Sequence, residues 1–231
     1  MIITNLKTFN KVCNEMKNFC KPYDDYKPFC NMFFVDKNLM CSTNGKIMAV
    51  RNVSDCVINV ESFGFPFNTK PIKIVTSDGD KLIIENKKEE WFNNKKKEYL
   101  KDFNWKRVLP YDLNGNKLKP SAEKEYDFSD YIFNIKLEKY SKVIFKGDDV
   151  IFQYEDYYDT IATYGDVIVS KENNILNNEV NDKIKKVMFP MNQIMDILKI
   201  DKHFILRQFD KYKHNMIVTK NYMFVLNECI C

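Results

Sequence analysis

Ammonium and amide side chains recur at helical spacing near the start of this chain. Lys7, Lys11, Asn14, Asn18 and Lys21 fall on one side of a helical projection, and Leu6, Phe9, Val12, Cys13, Met16, Phe19 and Cys20 fall on the other. Thr4 or Asn5 can cap the start, and Pro22 is expected to end the helix just after Lys21. A face of this kind suits phosphate groups. Lysine supplies charge, asparagine supplies neutral donors, and neither distinguishes one base from another. It also suits plain solvation, and the residues alone leave both readings open.

Other groups able to do chemistry are scattered. Asp148-Asp149 and Glu155-Asp156 are close acidic pairs that would hold a divalent metal, as in a nuclease, if they converged in a cleft. Both pairs flank strand-like stretches and Asp148-Asp149 fits a turn, so solvated turns are the expectation. His203 and His214 have no obvious partner for nucleophilic catalysis. The seven cysteines (13, 20, 30, 41, 56, 229 and 231) are odd in number and contain no CxxC pair. That argues against a zinc site and for buried thiols in a reducing cytoplasm, with disulfides in a secreted protein as the alternative. The glycine patterns that cradle nucleotide phosphates are absent. A non-enzymatic protein without cofactor or metal is expected.

The elements that must position these residues fit into 231 residues, enough for one large domain or two ordinary ones. With 45% hydrophobic and 29% charged residues, a folded core is expected rather than a disordered chain. No apolar run approaches the ~18 residues of a membrane span, and the one-sided polar start does not read as a secretory leader. Charge is uneven: residues 1–118 carry a net +6 and residues 119–231 a net −2. The first half is therefore the better candidate for an anionic partner.

After the first helix, Met32–Val35, Leu39–Ser42 and Ile47–Val50 read as strands, joined by a turn at Asp36-Lys37-Asn38 and a hairpin signal at Asn44-Gly45. Val57–Val60 and Ile72–Val75 continue the pattern, and Asp78-Gly79 opens a hairpin into Lys81–Ile84. Residues 85–102 are Lys-rich and read as a solvated helix or a loop. The stretch 113–120 lacks apolar periodicity and reads as a linker, which divides the chain into 1–117 and 118–231. A helix at 128–141, strands at Val143–Phe145, Val150–Tyr154, Thr160–Tyr164 and Asp166–Ser170, and a turn around Gly165 follow. A helix over 189–199 and strands at Phe204–Phe209, Met216–Thr219 and Tyr222–Leu226 close the chain. Both halves repeat the order helix, hairpin, strands, without identity between residues.

Three stretches together resemble the bacterial sliding clamp, the β subunit of DNA polymerase III. Leu39-Met40-Cys41-Ser42-Thr43-Asn44-Gly45-Lys46-Ile47-Met48-Ala49 is similar to the family's L-x-A-T-D-G-H-R-L-A hairpin. Phe103-Asn104-Trp105-Lys106-Arg107-Val108-Leu109-Pro110 is similar to F-P-D-Y-R-R-V-L-P, one residue shorter. The tail from Phe189 resembles the family's last helix and closing strands. The matches correspond to the second and third of the family's three domains. The resemblance implies an α+β chain of two clamp-like domains, each with helices packed on antiparallel sheets. It implies a processivity factor that encircles double-stranded DNA without reading sequence. Two-domain clamps, as in some phages, eukaryotes and archaea, close as trimers, so a trimer is the favoured homo-oligomer.

On the same resemblance, Lys7, Lys11, Asn14 and Lys21 would face DNA from the first domain, and Lys136, Lys139 and Lys199 from the second. A groove for DNA polymerase and other clamp-binding peptides would involve Thr43, Gly45, Lys46, Met48, Arg107, Val108, Met223 and Val225, although Val108, Met48 and Met223 equally suit an apolar core. A clamp loader would be a further partner. The chain departs from the family where M-P-M-R-L becomes Val225-Leu226-Asn227-Glu228-Cys229 and His-Arg becomes Lys46-Ile47. Between Glu61 and Pro71, Gly64, Pro66 and Pro71 stand where the first domain's second helix would run.

Overall fold

The computed structural model describes residues 1–22, 27–58, 61–76, 79–87, 90, 104–110, 117–130, 142–147, 149–156, 163–170, 184–210 and 214–227. The chain divides into two compact units. One comprises Met1–Leu109 with Asn221–Phe224, the other Pro110–Lys220 with Val225–Cys231. Sequence places the divide at 117/118. The units part eight residues earlier, and the last strand is shared between them.

The first unit starts with strand β1 (Ile2–Ile3) and helix α1 (Leu6–Met16), which runs into a 3-10 turn at Lys17–Phe19. Strands β2 (Met32–Asp36), β3 (Leu39–Thr43) and β4 (Ile47–Asn52) form an antiparallel meander. β5 (Val57–Ile58), β6 (Phe63–Pro66), β7 (Ile72–Thr76) and β8 (Gly79–Ile83) follow. One sheet has the order β5-β1-β8-β7, and β6 lies beside β2 in a second. Within 61–71 the chain forms the strand Phe63–Pro66 followed by a turn, and no helix. Pro66 is the last residue of that strand, where no further ladder bond is needed. β1, β6 and later β9 and β13 have no counterpart in the expectations above.

Buried Phe9, Val12, Met16 and Phe19 fill the underside of α1. Phe9 lies 6.5 Å from Phe65, and Phe19 lies 5.2 Å from Phe224, ring centre to ring centre. Each such ring contributes roughly 1.5–3 kcal/mol on burial. Met16 is the last residue of the α-helix, so Lys21 lies beyond the helix rather than on its face. Its backbone N–H donates to Cys30 O at 2.8 Å.

The second unit contains β9 (Ala122–Asp127), β10 (Lys142–Lys146), β11 (Asp149–Asp156), β12 (Thr163–Ser170), β13 (Val187–Pro190), α2 (Met191–Leu198), β14 (His203–Gln208) and β15 (Asn215–Val218). One sheet runs β12-β11-β10-β13, and β14 pairs with β15 on one side and β9 on the other. Tyr126, Phe128, Phe145, Phe152, Phe189 and Phe204 make its buried aromatic core. Strand β16 (Tyr222–Leu226) gives its first three residues to the first unit and its last two to the second.

Several expectations are corrected here. Gly165 sits inside β12, paired with Tyr154, so one strand replaces two strands and a turn. Phe189 and Pro190 end β13, and the helix begins at Met191. Residues 128–130 are not helical, and 131–141 lie outside the described residues, as do 88–89 and 91–103 of the Lys-rich segment.

Candidate nucleic-acid interface

Helix α1 presents its polar face because its other faces are occupied. Asn5 caps it, accepting from Thr8 N–H at 3.0 Å. At the other end Ser42 Oγ donates to Met16 O at 3.1 Å and satisfies a carbonyl that the helix leaves open. With Phe9, Val12 and Met16 inward, Lys7, Lys11, Asn14 and Asn18 are exposed. At about 100° per residue, Lys7, Lys11 and Asn14 fall within a sector of about 60°. Lys17 Nζ donates to Asn14 Oδ1 at 3.2 Å, which leaves the Asn14 amide nitrogen as a donor and adds a cation to the flank. Lys21, off the helix, is half-buried.

Glu15 borders this face, about 40° round the helix from Lys11. Its Oε1 is 3.9 Å from Lys11 Nζ, and its other oxygen accepts a hydrogen bond from the phenol of buried Tyr222 on β16. Burial, and secondarily the bond to Glu15, push the Tyr222 phenol well above its ordinary pKa, so it stays a donor. The Arg51 guanidinium stands 5.7 Å from the Tyr222 ring centre. Arg51 grips Asp55 with two bonds of 3.1 and 2.9 Å and Asn52 O with one of 3.0 Å. The Arg51 hydrogen bonds hold the Asp55 carboxyl below the usual carboxylate range. Sequence reasoning missed Glu15, Arg51 and Tyr222. The Lys11–Glu15 spacing was visible at i,i+4, but a contact between residues 207 apart was not.

The second unit supplies a different surface. Lys199 follows α2 and is exposed, but its Nζ donates to Asp196 Oδ1 at 2.8 Å. With Asn192 as the other exposed polar residue, this face has no net charge. Lys136 and Lys139 lie outside the described residues.

Of the residues expected in a peptide groove, Thr43, Gly45, Lys46 and Met48 come together at the β3–β4 turn. Thr43 is buried. Its Oγ1 donates to Ile47 O at 2.8 Å and accepts from Gly45 N–H at 3.0 Å, so the hydroxyl serves the turn. Asn44 Oδ1 accepts from Lys46 N–H at 3.0 Å and Ile47 N–H at 3.1 Å. The central residues are Gly45 and Lys46, not Asn44 and Gly45. Gly45 has φ +83°, which favours glycine, and a Cβ there would also meet the flexible end of the Lys27 side chain at 3.2 Å. Met48 is buried.

Arg107 and Val108 are exposed in a 3-10 turn, Trp105–Val108, anchored by buried Trp105. Lys106 in that turn is ion-paired with Asp36. Asp36 pairs with Leu39, the end of β3 away from Thr43, so the anchor lies about 13 Å along the strand from the β3–β4 turn. Met223 is half-buried and Val225 buried, two residues apart on β16 and so on one face of that strand.

Among the described residues Cys13, Cys20, Cys30, Cys41 and Cys56 are thiols outside any disulfide, and no group of three or more His, Cys, Asp or Glu is placed to hold a metal. Burial pushes the Cys13 and Cys56 thiols up to about 12 and Cys20 and Cys41 well above their ordinary value, so these four are protonated at neutral pH. The side chains of Asp148, Asp149, Glu155 and Asp156 lie outside the description. No helix among the described residues is long and apolar enough to cross a membrane.

No protein-family model matches the chain, and no curated protein matches it by sequence. Solved structures do match by shape. The DNA polymerase III β subunit of Borrelia burgdorferi aligns over 97% of this chain and 62% of its own, with a TM-score of 0.61 at 13% identity. The Helicobacter pylori β clamp, solved with a DNA ligase peptide bound, aligns over 100% and 65%, with a TM-score of 0.60 at 10% identity. The Thermotoga maritima β subunit aligns over 96% and 64%, with a TM-score of 0.54 at 14% identity. This chain therefore spans a little under two thirds of the length of each. At these identities the likeness is one of fold, and that fold, along nearly the whole chain, is the one seen in bacterial sliding clamps.

Proposed function

We propose that this protein is a sliding clamp that encircles double-stranded DNA as a homo-oligomeric ring and tethers DNA polymerase to its template. The observation that carries this reading is the clamp fold extending through nearly the whole chain. The exposed Lys7, Lys11, Asn14 and Lys17 supply the phosphate-facing surface that such a ring needs. No bond-making chemistry is required. Topological linkage keeps effective concentration high while each phosphate contact stays weak, and contacts without base readout allow movement along the duplex. Two clamp-like units per chain favour a trimer, giving six units around the hole. A clamp loader would open the ring in the cytoplasm. Polymerase and other clients would dock by short peptides at the β3–β4 turn, Arg107-Val108, Met223 and Val225. The peptide-bound Helicobacter pylori clamp supports a peptide-docking role.

Light scattering over a wide concentration range tests the ring. A mass near 83 kDa, three times the 27.6 kDa chain, is expected, together with retention on circular DNA that is lost when the circle is cut. A second reading is a monomeric clamp-like module that binds clients without encircling DNA, such as a clamp mimic from a phage or mobile element. The charge-neutral face of α2 favours it. A monomer at every concentration that binds a clamp-binding peptide, with no retention on circular DNA, would establish that reading instead.

A further inference from the structure

The network behind α1 places a carboxylate beside the face proposed to meet phosphates. Glu15 is the one acidic residue of α1. A carboxylate that swung toward Lys11 would oppose a phosphate there and compete for the ammonium group. Glu15 is shared between two partners. Tyr222 donates to one carboxylate oxygen from β16, while the other makes a long ion pair of 3.9 Å with Lys11, whose side chain is 75% exposed. Tyr222 is itself fixed. Its side chain is buried, its ring is stacked on Phe224 at 5.6 Å, and the Arg51 guanidinium faces it. Phe224 in turn packs on Phe19 at the end of the same helix.

We propose that Tyr222 is a positioning residue for DNA binding: it holds the Glu15 carboxylate against β16, keeps the ion pair with Lys11 long, and so lets the exposed Lys11 ammonium meet a phosphate. This rests on the DNA-facing reading of α1. Tyr222 touches no nucleic acid in this scheme and acts only through Glu15. Because Met223, its neighbour on β16, belongs to the proposed peptide groove, one strand would serve both surfaces.

The test is a double-mutant cycle read by fluorescence anisotropy of a short labelled duplex at low salt, with the full chain throughout. Tyr222→Phe keeps the ring and removes only the donor. It is expected to weaken binding about threefold, the size of one screened near-surface charge, and the difference should fade as salt rises. Glu15→Gln is expected to tighten binding by a similar factor. In the Glu15→Gln background, Tyr222→Phe should then have no effect. A merely structural role for Tyr222 would not be cancelled in this way. If Tyr222→Phe leaves affinity unchanged, or weakens it equally with and without the Glu15 carboxylate, the proposal is overturned. If Tyr222→Phe does not fold, Glu15→Gln decides alone, and no tightening overturns it. Reversal of Lys7 and Lys11 to Glu, measured alongside, separates the two levels: unchanged duplex binding in that variant overturns the DNA-facing role of α1 itself.

Discussion

Helices α1 and α2 bury their apolar sides in the same manner and offer solvent different electrostatics, basic on α1 and neutral on α2. Phe9, Val12 and Met16 anchor one, and Met191, Ile194, Ile197 and Leu198 anchor the other. On α1 the Glu15 carboxylate accepts from Tyr222 and makes only a long ion pair, 3.9 Å, with Lys11. At the end of α2 the carboxylate of Asp196 sits on Lys199. Helical periodicity thus fixes which side is buried, whereas the charge that a face offers depends on which ion pairs its residues can make.

The shared burial pattern can be broken first. Phe9→Ala should cost about 3–5 kcal/mol and Ile194→Ala about 2–5 kcal/mol in denaturant unfolding, because each removes a fully buried side chain. Equal and near-zero costs would mean that neither helix is packed as described. The electrostatic contrast comes next. Reversing Lys7 and Lys11 together should weaken duplex binding by about tenfold or more and lower the slope of log affinity against log salt by about two. Lys199→Glu should change affinity less than about twofold, since its charge is already paired. A tenfold loss there would erase the distinction between the helices.

The smallest effect concerns acid. The folded-state pKa of Asp55 is depressed, so its pair with Arg51 contributes stability above the unfolded carboxylate value of about 3.9 and loses it as pH falls through the lower folded value. Because Asp55 is half exposed, Asp55→Asn should reduce stability at pH 7 by less than about 1 kcal/mol, and should make the acid transition shallower in thermal melts at decreasing pH.

Much of the architecture was legible where local chemistry and tertiary structure agree. The one-sided helix, the β2–β3–β4 meander and the glycine turn at Gly147 (φ +59°) follow from periodicity and turn residues. The hidden elements are those whose sequence argues against their state. Ala122–Asp127 is mostly charged, yet it forms β9 because Glu123 meets Arg207 at 2.9 Å and Glu125 meets His203 across the ladder with β14. Gly165 carries a turn signal but is held inside β12 by pairing with Tyr154. Of the binding surface, the exposed lysines could be read directly. The partners of Glu15, Lys106 and Lys199 decide what those surfaces offer, and two of those three contacts join segments remote in sequence.

The β3–β4 turn also bears on chemical ageing. An asparagine followed by glycine readily loses its side-chain amide, because the next backbone nitrogen can attack the carboxamide carbon and expel ammonia. At Asn44-Gly45 both reactants are restrained. The Gly45 nitrogen donates to Thr43 Oγ1, and the Asn44 carboxamide oxygen is held by two backbone N–H groups. Ring closure would have to break those bonds first, so Asn44 should survive storage far longer in the folded protein than in a free peptide of residues 42–48.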